Sequence, residues 1–260
     1  MPGRVVVITG ASAGIGAALA QLLGARGARL VLAARREREL QAVAAHSAPE
    51  ALAVVADVTT RADVQRILDA ALGRFGHVDV WVNNAGRGIS ALVSELTDED
   101  LDEMFLANVK SALYGMQAVL PHFRERRRGH IVNVSSMLSR IPMVPTRSAY
   151  SAAKHALNAL TTSLRIELRK DFPDIHVTTV LPGMVATDFA ANARHGAVDA
   201  RAALFAQPVG EVAEVIADVI EHPRAEVYTR PQYHQQAAAY FAAEDVATVE
   251  ATSPFAPRPR

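Results

Sequence analysis

The chain has 260 residues, half of them hydrophobic and 21% charged, and its 27 basic and 27 acidic side chains balance to zero net charge. That length suits one large domain with a substantial core, and the charge balance argues against nucleic-acid binding, which leaves a basic excess. The absence of cysteine excludes disulfides, thiolate metal sites and thiol nucleophiles.

The nine histidines are scattered without a close ligand pair, so no metal site is expected. No stretch approaches the ~18 apolar residues of a membrane span. The N-terminus enters a strand almost at once, without signal-peptide architecture, and the expected compartment is the cytoplasm.

The first predicted strand, Arg4–Thr9, is a nearly continuous β-branched run, as expected of a strand covered on both faces. It leads into Thr9-Gly10-Ala11-Ser12-Ala13-Gly14-Ile15-Gly16 and a predicted helix near 14–26. Glycines in a strand–turn–helix setting let a pyrophosphate approach backbone N–H groups at the helix N-terminus. Close strand–helix packing is the plainer use of the same glycines. The segment also matches Gly-x-Ser-x-Gly, with Ser12 where a hydrolase nucleophile would sit. A nucleophile elbow needs an oxyanion N–H from a loop after an earlier strand, and only one strand precedes Ser12.

The second strand, Arg29–Ala33, is followed by Ala34-Arg35-Arg36, with no carboxylate until Glu37. An acidic residue here would bind the ribose 2′-hydroxyl of NAD. Arg35 can instead pair a 2′-phosphate through its planar fork, so NADP(H) is favoured over NAD(H).

Helix-like stretches near 36–46 and 60–74 flank the third strand, Ala51–Ala56, and the fourth is Val78–Val82. Asn83-Asn84 beyond it reads as a turn, since Asn and Gly both tolerate the left-handed region. A long helical pattern spans 99–125 and ends in Arg124-Glu-Arg-Arg-Arg128, where cations suit the helix dipole. Asn108 lies inside that helix, where an amide is otherwise unfavourable unless it points outward.

The fifth strand, His130–Val134, runs into Ser135 and Ser136, and a helix is predicted over 148–171. Within it Tyr150 and Lys154 are four apart, hence on one face about one turn apart. An adjacent cation favours the phenolate, so the Tyr150 pKa is expected to fall toward neutrality. Only three lysines stand among the 27 basic residues, which makes one beside Tyr150 notable.

The sixth strand, His176–Leu181, ends in the turn Pro182-Gly183. The connection 184–209 is long for a compact domain and is expected to form a functional lid. A helix near 210–222 and a strand at Glu226–Thr229 complete the domain, taken as residues 1–230. The tail 231–260 has an Ala-rich helical stretch and then frays. Regular β-α alternation predicts one doubly wound Rossmann-type α/β domain, with a parallel seven-stranded sheet covered by helices on both faces.

Taken together, these motifs resemble the short-chain dehydrogenase/reductase family over nearly the whole chain to about residue 230. The carriers are the glycine turn, Asp57-Val58, Asn83-Asn-Ala-Gly86, Asn108, Ser136, Tyr150-x-x-x-Lys154, Pro182-Gly183 and Thr187, in family order and spacing. The resemblance implies that Tyr150 is the general acid/base in hydride transfer between nicotinamide and a carbonyl or secondary alcohol. Lys154 would hold down its pKa and bind the nicotinamide ribose, Ser136 would polarise the carbonyl, and Asn108 would order a water leading from Lys154. Gly10, Ser12, Gly14, Ile15 and Gly16 would hold the dinucleotide beside Arg35. Asp57 and Val58 would meet the adenine, with Asn84, Ala85 and Gly86 shaping the sheet edge beside it. Pro182, Gly183 and Thr187 would flank the nicotinamide.

Ser136 stands fourteen residues before Tyr150, one more than the commonest family step, which leaves Ser135 and Ser139 as alternatives. Ser135 and Ser136 should face opposite ways along the strand, and the strand-end position favours Ser136. Met137, Leu138, Met143 and Phe189 suggest an apolar substrate wall, and a homodimer or homotetramer is expected. The rival function is a dinucleotide-binding sensor or scaffold without turnover, which usually lacks one of the four catalytic groups.

Overall fold

A computed structural model describes residues 1–189, 192–196 and 205–252. Its seven strands are β1 (Val5–Thr9), β2 (Arg29–Ala34), β3 (Leu52–Val55), β4 (Val80–Asn83), β5 (Gly129–Val134), β6 (Ile175–Leu181) and β7 (Glu226–Tyr228). They form one parallel sheet in the order β3-β2-β1-β4-β5-β6-β7. The order reverses at β1, which pairs β2 on one side and β4 on the other, and that opens a crevice at the strands' carboxyl ends.

Alternate residues of each strand enter opposite layers, and both layers are dry. On one face Val6, Ile8, Leu30 and Leu32 pack on α1 (Gly14–Ala25), α2 (Glu37–Ser47) and α7 (Val209–Glu221) through Leu19, Leu23, Leu40 and Ile216. On the other, Val7, Val31, Trp81 and Ile131 meet α3 (Arg61–Phe75), α5 (Ser111–Arg126) and α6 (Ser148–Leu168) through Ile67, Leu68, Phe123 and Leu168. Hydrophobic burial on two faces explains why these strands carry no polar alternation.

The helical pattern at 99–125 is not one uniform helix. Thr97 caps α4 (Asp98–Phe105) by accepting from the Asp100 N–H, and residues Leu106–Lys110 then widen into a π-helical turn before α5. The cause is Asn108. Its Nδ2 donates to the Met104 carbonyl at 3.0 Å and to the Arg87 carbonyl at 2.9 Å, while its Oδ1 accepts from the Arg87 N–H at 3.2 Å. An amide turned inward to clamp a loop disturbs the regular helical ladder, and such π-bulges collect at functional sites. The side chain is buried rather than outward-facing.

Beyond β7, helices α8 (Pro231–Ala242) and α9 (Val246–Ala251) follow. Ala237 of α8 packs with Met137 and Ile141, flanked by Met143, Tyr228, Tyr233 and Tyr240. Residues 253–260, which include the expected frayed end, lie outside the described residues, as do 190–191 and 197–204 of the long connection. Among the described residues no helix is long and apolar enough to cross a membrane, and no group of three or more acidic or imidazole side chains could hold a metal.

Candidate functional site

The crevice is pinned by the end of β1. The Thr9 hydroxyl donates to the Val82 carbonyl at 3.2 Å and accepts from the N–H groups of Asn84 and Ala85 at 3.0 and 3.2 Å. Asn84 Nδ2 returns to the Thr9 and Gly10 carbonyls at 2.9 and 3.3 Å. Two adjacent strand ends are thereby stapled, and the backbone of 84–86 is drawn hard against the glycine turn.

Two glycines answer to that closeness. Gly10 has φ +66°, and a Cβ there would sit 2.8 Å from the Ala85 Cα. A Cβ on Gly16 would lie 2.5 Å from the Gly10 carbonyl oxygen. Gly10→Ala is therefore expected to cost about 2–3 kcal/mol, from left-handed backbone strain added to overpacking. Urea unfolding monitored by circular dichroism measures it, and a loss below about 0.5 kcal/mol would contradict this packing.

The packing of the fold itself demands that Gly10 and Gly16 be small. Gly14 differs: its φ is +56°, and a Cβ would press on Thr187 Cγ2 at 3.2 Å. Thr187 is accordingly brought from the loop after β6 to the mouth of the glycine turn. Ile15 packs partly buried against the sheet. The first turn of α1 has no side-chain cap and no acidic residue, so its N–H groups face the crevice without a carboxylate to compete for them. A pyrophosphate suits that cradle in charge and in room.

On the adenosine side Arg35 is largely exposed, with Nη1 3.9 Å from Asp57 Oδ2. Asp57 Oδ1 accepts from the N–H and hydroxyl of Thr59, and Val58 packs partly buried against the α3 layer. The sequence argument passed over Arg36, whose Nη2 and Nε reach Ser12 Oγ at 3.1 and 3.3 Å. The Arg36 guanidinium therefore stands beside the turn, and that of Arg35 beside Asp57. Ser12 meets Arg36 and, among the described residues, no histidine ring, so it lacks the base a hydrolase nucleophile needs.

Across the crevice, α6 presents Tyr150 and Lys154 inward, both buried. The Ser136 hydroxyl accepts from the Leu138 N–H at 3.1 Å and lies near enough to the Tyr150 phenol to lower its pKa. Ser135 turns the other way, toward the Ser139 hydroxyl at 3.2 Å and the Lys154 carbonyl at 3.4 Å. Ser139 is held by Asn158 Nδ2 at 2.7 Å and its own hydroxyl donates to the Ser136 carbonyl. Directly after Ser136 the chain makes a short 3₁₀ turn, Met137–Ser139, on the way to α6.

Lys154 Nζ donates to the Val134 carbonyl at 2.9 Å and lies 5.7 Å from the Tyr150 ring centre. A Cβ on Gly86 would stand 2.8 Å from Asn108 Oδ1 and 3.5 Å from Lys154 Nζ, so these two polar heads share the space over Gly86. Below them Asn83 bonds Asn133 at 2.8 Å, and Asn133 bonds Thr161 of α6 at 2.9 Å, which ties the helix to the sheet.

The expected fall of the Tyr150 pKa does not occur in this closed site. Burial pushes it above the ordinary tyrosine value, against smaller downward pulls from the Ser136 hydroxyl and the nearby Arg147 guanidinium. Burial also lowers Lys154 to about 8. Desolvation outweighs the attraction of a cation whose head points at the Val134 carbonyl.

The apolar wall divides in two. Leu138 and Phe189 pack with Tyr150, whereas Met137 and Met143 belong to the cluster under α8. Phe189 meets the Tyr150 ring edge-on, with centroids 5.6 Å apart. The Pro182 carbonyl accepts from the Met137 N–H at 2.7 Å, and Tyr233 of α8 covers Gly183, where a Cβ would lie 2.4 Å from its ring. Sequence reasoning missed Tyr233, since no local pattern ties the tail to residue 183. It also missed Arg147, although an i, i+3 step from Tyr150 could have marked it.

The sequence agrees with known proteins at the level of family. A family model described as short chain dehydrogenase matches residues 4–197. An uncharacterised oxidoreductase from Staphylococcus epidermidis is 39% identical over 184 residues, covering 71% of this chain and 79% of that protein. A short-chain dehydrogenase/reductase from Burkholderia phymatum, solved in complex with NAD, superposes with a TM-score of 0.85 at 27% identity, covering 100% of this chain and 99% of that one. An alcohol dehydrogenase from Thermococcus sibiricus, solved with 5-hydroxy-NADP, gives 0.76 at 29% identity, covering 88% and 97%. With three quarters of its length matched by that family and its parallel sheet reproduced in the solved relatives, the chain belongs to the short-chain dehydrogenases and is an oxidoreductase of that family.

Proposed function

We propose that the protein is an NADP(H)-preferring oxidoreductase that interconverts a carbonyl and a secondary alcohol, with Tyr150 as the proton donor and acceptor. The observation that carries this reading is the meeting of Lys154 Nζ and Asn108 Oδ1 over Gly86, one helical turn from the buried Tyr150 phenol, with the Ser136 hydroxyl near enough to that phenol to lower its pKa. The uncapped α1 N-terminus and the glycine turn fit a dinucleotide pyrophosphate, and the relatives solved with NAD or a derivative of NADP support a nicotinamide dinucleotide. When bound, that group supplies the hydride in reduction and accepts it in oxidation.

The chain's own residues handle the oxygen. The Ser136 hydroxyl orients the carbonyl oxygen and stabilises charge building on it. The Tyr150 phenol gives that oxygen a proton as the carbon is reduced, and takes it back in the reverse direction. Lys154 stabilises the phenolate left behind. Asn108, clamped by Arg87, sets one boundary of the path by which Lys154 regains a proton from solvent.

NADP(H) preference rests on Arg35 and Arg36 standing where an acidic residue would select NAD(H). Purified protein should reduce carbonyls with NADPH at least tenfold more efficiently than with NADH, in kcat/KM. Arg35→Ala should shrink that ratio roughly tenfold, the loss of one charge-assisted contact to a phosphate. A wild-type preference for NADH would overturn the cofactor assignment. Tight dinucleotide binding without turnover of any ketone or aldehyde would overturn the catalytic one.

A further inference from the structure

We propose that Arg147 recognises an anionic group of the substrate, so that the carbonyl compound is an oxo acid: a carboxylate attached to an apolar body. The inference rests on the reading of Tyr150 as proton donor and adds to it a class of substrate.

Among the described residues three guanidinium groups, those of Arg87, Arg147 and Arg194, stand around the substrate side of the crevice, and two of them are neutralised. Arg87 pairs with Glu103, and Arg194 pairs with Asp100 and, at 2.5 Å, with Glu103. Arg147 has no carboxylate partner among the described residues. Its single side-chain hydrogen bond among the described residues runs from Nη1 to the Ile89 carbonyl at 2.9 Å. A guanidinium offers five N–H donors, so most of its capacity is unspent. The group is half-buried, where an uncompensated charge is costly.

Arg147 is also held where a substrate passes. A Cβ on Gly88 would touch both Arg147 Nη1 at 3.0 Å and the Phe189 ring at 2.7 Å, and that ring stacks edge-on against Tyr150. Guanidinium, apolar ring and phenol therefore line one wall. The backbone behind them is braced: the Ala91 N–H donates to the Thr146 carbonyl at 2.9 Å, and the Ser148 hydroxyl donates to the Ala91 carbonyl at 2.7 Å. A planar fork fixed beside the proton donor matches a carboxylate in two-pronged fashion. Ile89, Ala91, Leu138 and Phe189 supply apolar surface for the rest of the molecule.

The test compares each acid with its own methyl ester: benzoylformate with methyl benzoylformate, and 4-oxopentanoate with methyl 4-oxopentanoate. In the full-length protein with NADPH, kcat/KM should favour the acid of at least one pair by about 30-fold, carried mainly by KM, as one charge-assisted hydrogen-bond pair provides. Arg147→Gln should bring that acid-to-ester ratio close to unity, and Arg147→Lys should leave it intermediate, because the charge remains without the fork. Calorimetric titration of the same acids into the protein loaded with NADP+ gives a readout independent of turnover: binding to the wild type, and at least tenfold weaker binding to Arg147→Gln. Esters turned over as well as their acids in both pairs would overturn the proposal and leave the oxidoreductase reading intact. An equal loss for acid and ester in Arg147→Gln would overturn it too, assigning Arg147 to the Tyr150 phenol alone. If neither member of either pair is turned over, calorimetry decides alone: acids that bind the wild type and Arg147→Gln equally, or bind neither, would overturn the Arg147 proposal and leave the oxidoreductase reading intact.

Discussion

Tyr150→Phe is expected to lower kcat for carbonyl reduction by about 10³-fold while dinucleotide binding stays near the wild-type level. The phenol oxygen is the only atom removed, and its ring contacts with Phe189 and the surrounding apolar cluster remain. The Ser136 hydroxyl keeps its hydrogen bond from the Leu138 N–H. The stability change should therefore stay within about 1 kcal/mol. Fluorescence titration with NADPH, run beside steady-state kinetics, separates the two effects. A variant that retains a tenth of the wild-type kcat would remove Tyr150 from the chemistry.

The direction of the Tyr150 shift sets the pH behaviour of the two half-reactions. Burial raises its pKa, so the phenol stays protonated through neutral pH. Reduction, which consumes that proton, should run level across neutrality and decline only in alkaline solution. Oxidation needs the phenolate and should climb steadily with pH over the same range. Opposite slopes in the two directions are the signature. Parallel profiles would point to a different titrating group.

Lys154→Met should abolish turnover and yet stabilise the fold at neutral pH by about 2 kcal/mol. Lys154 is buried, accepts no carboxylate partner among the described residues, and has its pKa lowered by burial to about 8. Between that value and the ordinary lysine value of about 10.4, the unfolded chain holds a proton that the folded one has released. Stability from this group therefore rises as pH increases through that window, and below it the buried cation is a net cost. Methionine fills a similar volume without the charge, at the expense of about 1 kcal/mol for a Val134 carbonyl left without its donor. Urea titrations at pH 7 and pH 10 measure both claims: the variant should be the more stable at pH 7, and its advantage should shrink at pH 10. A variant less stable than wild type at pH 7 would show that the ammonium is held by favourable interactions, not tolerated for function.

How far the chain could be read without coordinates depended on the range of the forces involved. Continuous apolar β-branched runs such as Val5-Val-Val-Ile8 declare strands dry on both faces, and their alternation with amphipathic segments implies the parallel sheet, because burial and chain connectivity are local properties of the pattern. The i, i+4 step of Tyr150 and Lys154 and the glycine turn after β1 are likewise local, and were visible before any contact was known.

Contacts between distant segments were not. The alternation of the strand separated Ser135 from Ser136, but only packing showed that the first turns to Ser139 and the second to Tyr150. Local pattern left Asn108 open as an outward-facing amide and only the family resemblance made it a site residue; it is the buried clamp of a π-turn because Arg87, twenty-one residues earlier in the chain, offers its backbone. Arg36 beside Ser12, Tyr233 over Gly183 and Arg147 against the Tyr150 wall, without a carboxylate partner among the described residues, follow from the folding of separate loops onto one sheet edge. The sign of the Tyr150 shift belongs there as well. Sequence spacing supplies the neighbouring charge, but desolvation depends on everything that closes over the phenol, and only the assembled tertiary structure determines it.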